Sequence, residues 1–157
     1  MLVMTAFAVP PACKERGSSK ALTAPKRYDH LQIILYSPYT CYNEIQLDHA
    51  GLGINILGYH YPDSTSKIKT RKDFQLAPAA QKKIQELVTG IQSRPLITSG
   101  YAEDKYRYVV TIDNKKFIDR FGQDSLLTTM LKAVAPYIHN EESGQCDFFY
   151  LFNQVGK

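Results

Sequence analysis

The sequence of 157 residues has no tryptophan and no apolar run approaching the roughly 18 to 20 residues that a membrane-spanning helix needs. Any bilayer contact must therefore come from the N-terminal residues. It also lacks the spacings that mark common active sites: there is no P-loop, no HExxH pair, no nucleophile elbow and no Rossmann glycine pattern. Internal repeats and low-complexity tracts are absent. With 44% apolar and 22% charged residues, the chain has the make-up of one folded domain plus an appendage.

The domain has no charge excess of its own. Five cations (Lys14, Arg16, Lys20, Lys26 and Arg27) face a single anion, Glu15, between Cys13 and Arg27, whereas from Tyr28 onward the chain carries fourteen basic and fourteen acidic residues. The net charge of +4 therefore belongs to a leader, and no nucleic-acid-binding face is expected. The segment CKERGSSKALTAPKR is polar, contains Gly, Ser and Pro, and has no apolar period, so residues 13–27 read as a flexible basic tether. Residues 1–12 are uncharged and apolar, about the size of a signal peptide's hydrophobic region.

The small residue Ala12 followed by Cys13 resembles the lipobox of bacterial lipoproteins, with Pro10 and Pro11 standing where that family usually has an aliphatic and a small residue. The resemblance implies that Cys13 is acylated, that the chain is anchored to a membrane by lipid, and that the domain sits on the periplasmic side of the cell envelope. Residues 36 to 92 loosely resemble small lipoprotein domains of unknown function. If Cys13 carries lipid, Cys41 and Cys146 remain, and in an oxidising compartment such a pair is expected to be bridged. Two reduced, buried thiols in a cytosolic protein are the other reading of that pair, as a frayed terminus with a free thiol is of Cys13.

Residues 28–157 are expected to form one globular α+β domain, an antiparallel sheet of about six to seven strands with two helices packed on one face. Period-2 alternation marks HLQIILY as a strand, and EIQLDH and GINILGYHY as a hairpin about Ala50 and Gly51. The heavily charged SKIKTRKDFQL suits a sheet edge. Pro78 opens a helix whose Ala80, Ile84, Leu87, Val88 and Ile91 form one stripe. A second hairpin joins KYRYVVTID to KFIDRF with Asn114 in a left-handed turn position, and Asp124 caps a helix with Leu126, Leu127, Met130, Leu131 and Val134 that Pro136 ends or kinks. The closing run CDFFYLF is expected as a strand inside the sheet, and the hydroxyls of Tyr106 and Tyr108 are expected in water.

No catalytic residue, metal ligand or cofactor is expected. His49 and His60, with Asp48 or Asp63, offer a loose metal set, and Cys41 offers a thiol with no adjacent cation to stabilise its thiolate. Either would serve the alternative reading, a small hydrolase or metal-dependent enzyme. Eleven tyrosines favour a binding role instead, with Tyr39, Tyr42, Tyr59 and Tyr61 at expected turns or strand ends as the contact residues. The expected partner is a protein, a toxin or effector acting in the envelope, which the chain would inhibit or confer immunity against.

Overall fold

A computed structural model describes residues 27–38, 41–60, 66–100, 106–122, 124–138 and 146–155. Cys13, the signal-like segment and all of the tether but Arg27 lie outside these residues. The described residues form seven strands: β1 (His30–Tyr36), β2 (Cys41–Asp48), β3 (Leu52–His60), β4 (Ser66–Gln75), β5 (Ile97–Thr98), β6 (Arg107–Ile112) and β7 (Lys115–Phe121). They make one sheet in the order β4-β3-β2-β1-β6-β7-β5, antiparallel throughout except where β5 meets β7. Among the described residues three helices accompany it, α1 (Pro78–Gln92), α2 (Ser125–Val134), which a 3-10 turn over Ala135–Tyr137 extends, and α3 (Phe148–Val155). The fold is α+β.

Alternation along the strands builds the core. Leu31, Ile33 and Leu35 of β1 lie beside Leu47, Ile45 and Asn43 of β2 and beside Ile112, Val110 and Tyr108 of β6. Apart from Asn43, all of these join one buried cluster with Ile84, Val88 and Ile91 of α1, Leu127, Met130 and Leu131 of α2, and Phe148 and Leu151 of α3. All three helices therefore cover the same face of the sheet. Burying a leucine- or isoleucine-sized side chain contributes roughly 1.5–3 kcal/mol, so the fully buried β1 residues set the orientation of the sheet.

Local signals end the elements where the sequence places them. Pro78 occupies the first turn of α1, and Asp124 caps α2 by accepting from the Leu127 backbone N–H at 3.0 Å. Asn114 has a φ of 64°, and Asp113 shares the left-handed turn with a φ of 49°. The Asp113 side chain also accepts from the backbone N–H groups of Asp29 and His30, tying the β6–β7 turn to the start of β1.

Three expectations are corrected. The run CDFFYLF is not a strand: Phe148 to Val155 form helix α3. From Phe148 to Phe152 every residue is apolar or aromatic, so no period-2 pattern distinguishes strand from helix, whereas Asp147 accepts from the Tyr150 backbone N–H at 2.8 Å and starts a helix whose Phe148 and Leu151 are buried. Strand β2 begins at Cys41, three residues before the expected start at Glu44, because Tyr42 and Asn43 pair on both sides, with β1 and β3. The Tyr108 hydroxyl is not in water; its ring is fully buried, the oxygen has no hydrogen-bond partner among the described residues, and burial pushes the phenol well above its ordinary pKa. Tyr106 is half-buried and donates to the Tyr150 hydroxyl at 3.5 Å.

Candidate functional site: the helix-free face of the sheet

Because side chains alternate, the sheet has a second face that no described helix covers. Three rows of neighbouring residues cross it. One runs Lys116, Thr111, Gln32, Gln46, Ile54 and Asp73, the next Asp119, Val109, Ile34, Glu44, Ile56 and Arg71, and the third Phe121, Arg107, Tyr36, Tyr42, Gly58 and Ile68. Strand β3 gives this face a lengthwise apolar stripe of Leu52, Ile54 and Ile56, and Ile68 extends it onto β4. Ile56 is buried and Ile54 half-buried, but Leu52 is 59% exposed and Ile68 53%. Leu52 lies at one end of β3 and Ile68, opposite Gly58, towards the other, so the stripe is open at both ends.

Polar groups are held in place around the stripe. The buried Glu44 carboxylate accepts from Gln32 Nε2 at 2.7 Å and from Gln46 Nε2 at 2.6 Å. Arg107 donates to both oxygens of Asp119, from Nε at 2.8 Å and from Nη2 at 2.9 Å, and its guanidinium lies 5.6 Å from the centre of the Tyr36 ring. Lys116 Nζ reaches the same carboxylate at 2.8 Å. Burial raises the Tyr36 pKa, while the Arg107 charge pulls it back.

The hydrogen bond from Arg107 is the largest influence on Asp119 and, with help from Lys116, holds its carboxyl down to about 2 against an ordinary 3.8. A depressed folded-state pKa stabilises the fold above the ordinary value, and that contribution is lost as the pH falls from about 4 towards 2. Arg107→Gln is expected to move the Asp119 pKa upward, followed by NMR titration of its carboxyl carbon, so that its protonation begins at a higher pH. An unchanged titration would show that Lys116 alone holds the charge.

Of the four tyrosines expected at a contact surface, Tyr39 and Tyr61 lie outside the described residues. Tyr42 belongs to the helix-free face, where its ring covers Gly58 and sits 6.3 Å from the ring of Tyr36. Tyr59 pairs with Cys41, so alternation puts it on the opposite face beside the bridge. Those two do not share a surface. Tyr36 and Arg107 were not among the expected contact residues; alternation within their own strands gives each a face, and the pairing of β1 with β6 brings them together.

The cysteine pair is joined. Cys41 and Cys146 are disulfide-bonded with Cα atoms 5.7 Å apart, linking the start of β2 to the start of α3. Cys41 thus has no free thiol to act as a nucleophile. His49 follows β2 and His60 ends β3 at the far end of the same hairpin, roughly 25 Å away at a strand's rise per residue, so they do not form a shared metal site. Asp48 serves the backbone, accepting from the Leu52 N–H at 2.8 Å, and its carbonyl accepts from the buried Tyr28 hydroxyl, whose pKa burial raises to about 12. Among the described residues no group of three or more His, Cys, Asp or Glu side chains converges on one point, and no helix is long and apolar enough to cross a membrane.

No family model, curated protein or solved structure matches the chain. The reading of the site therefore rests on its geometry alone.

Proposed function

We propose that this chain is a protein-binding module of the bacterial cell envelope, tethered by lipid at Cys13, that covers a partner with the helix-free face of its sheet. In this reading it inhibits, or gives immunity against, an effector that acts in the envelope. The observation that carries the proposal is the apolar stripe of β3, with Leu52 and Ile68 exposed, Tyr42 and Tyr36 on the next two strands of the same face, and the Arg107–Asp119 pair beyond them on β6 and β7. Apolar centres with aromatic and arginine neighbours are the usual make-up of protein interfaces. The Cys41–Cys146 bridge is consistent with an oxidising, extracytoplasmic compartment.

The test is recovery of partners from native envelopes by cross-linking to the full chain. A partner should be captured by the wild type and by Lys83→Glu, a change on α1, but lost with Leu52→Glu/Ile54→Glu. Equal capture by all three chains would remove the helix-free face from the proposal. Labelled palmitate should enter the wild type and not Cys13→Ser; label in neither chain would remove the tether.

A further inference from the structure

Strand β4 ends the sheet on one side and, among the described residues, pairs only with β3. It is ten residues long, whereas β5, at the opposite end of the sheet, has two. A strand in that position presents backbone donors and acceptors along its outer edge. The register slips between Leu57 and Gly58, which leaves Lys69 as an extra residue on β4 and divides the edge into Ser66–Ile68 and the six regular residues from Thr70 to Gln75.

The charge on this edge is lopsided. Lys67, Lys69, Arg71 and Lys72 stand against Asp73 alone, so a domain with equal numbers of cations and anions places a net +3 on a single strand. Lys69 and Lys72 have interactions of their own within the chain, so Lys67 and Arg71, both exposed, carry the case. Alternation and the bulge put Arg71 and Ile68 on the helix-free face and Lys67 on the other.

Edge charge of this kind guards against aggregation, and here it also selects. A second copy of β4 would bring +3 against +3, and like charges on facing strands oppose pairing. A strand rich in Asp and Glu has no such penalty and gains attraction at Arg71 and Lys67. We propose that β4 is a docking edge for an acidic extended segment of a protein partner, which adds to the sheet as an eighth strand. Backbone hydrogen bonds to the edge supply affinity, and the carboxylates supply the choice of partner. An apolar residue of the added strand would lie next to Ile68 and lengthen the apolar stripe on the helix-free face. The biological meaning of this edge rests on the protein-binding role proposed above, but its chemistry can be tested separately.

Two ten-residue peptides, one alternating Val and Glu and the other Val and Lys, serve as probes of the full-length chain at low salt. The acidic peptide is expected to bind at least about tenfold more tightly, to weaken as salt rises, and to slow amide exchange within residues 66–75. Lys67→Glu/Arg71→Glu should reverse the preference, and the milder Lys67→Gln/Arg71→Gln should abolish it. Equal binding of the two peptides, binding of neither, or protection confined to segments other than β4 would overturn the inference. Loss of the native partner with Leu52→Glu/Ile54→Glu, together with full retention by Lys67→Glu/Arg71→Glu, would overturn the docking edge while leaving the proposed face intact.

Discussion

Replacing Cys41 and Cys146 with serine should lower the unfolding free energy by about 2–4 kcal/mol, with α3 the first element to open. The bridge spans 105 positions, so it removes a large share of the freedom of the denatured chain. Helix α3 has eight residues, too few for a helix to persist in water without tertiary contacts. It keeps its place through the burial of Phe148 and Leu151 and through the cystine immediately before it. Chemical denaturation should report the loss of stability, and hydrogen exchange should show amides 148–155 exposed before those of β1. The comparison belongs in a Cys13→Ser background, where the intact mass rises by two hydrogens on reduction. A denaturation midpoint unmoved by reduction, with unchanged exchange in α3, would mean that the apolar contacts alone hold the helix.

Gly53→Ala should cost about 1–3 kcal/mol for a reason unrelated to backbone freedom. Gly53 does not have a left-handed conformation, but a Cβ placed on it would lie 2.3 to 2.7 Å from three ring carbons of Phe74. The ring rests on the bare backbone of β3 and fastens β4 to the sheet, an aromatic covering a glycine across a strand pair. Expelling it would loosen the edge strand and leave the core under it less well covered. In a Phe74→Ala background the same glycine substitution should cost almost nothing, because no ring remains to be displaced. A full penalty in both backgrounds would place the strain elsewhere. Gly58 and the Tyr42 ring repeat the arrangement on the helix-free face, where a Cβ would come within 2.5 Å of the phenol oxygen.

Much of this fold could be read from the residues. Alternation in HLQIILY gave β1 its bounds, and the stripe from Ile84 to Ile91 gave α1 its buried side, because in both cases one face is apolar and the other is not. Cysteine pairing and the Asp124 cap were readable for a similar reason, since each has few partners to choose among. CDFFYLF failed because apolar residues on all sides carry no period, and the local cap at Asp147 outweighed β-propensity. The two residues of β5 are too few to show any pattern.

The candidate site was less readable, because it depends on register. Ile54, Ile56 and Gly58 could be assigned to one face of a strand, but only the pairing of β3 with β2 determines that this face is the one away from the helices. Tyr42 and Tyr59 looked alike in sequence and were separated by that same pairing. Arg107 and Asp119, twelve positions apart, met because β6 and β7 fold back on one another.

The position of β1 in the sheet also bears on how fast the chain can assemble. Strands β2, β3 and β4 are neighbours both in the chain and in the sheet, but β1 needs β6 on its other side, and four strands and a helix separate the two in the chain. Pairings of that span are the slow ones, since the loop must close before the contacts reward it. Until β6 arrives, Leu31, Ile33 and Leu35 line an unfinished edge, and the Cys41 thiol waits for a partner that lies still later in the chain. The bridge from Cys41 to Cys146 crosses a similar span, 105 positions, so the disulfide and the central strand pairing both depend on bringing distant parts of the chain together.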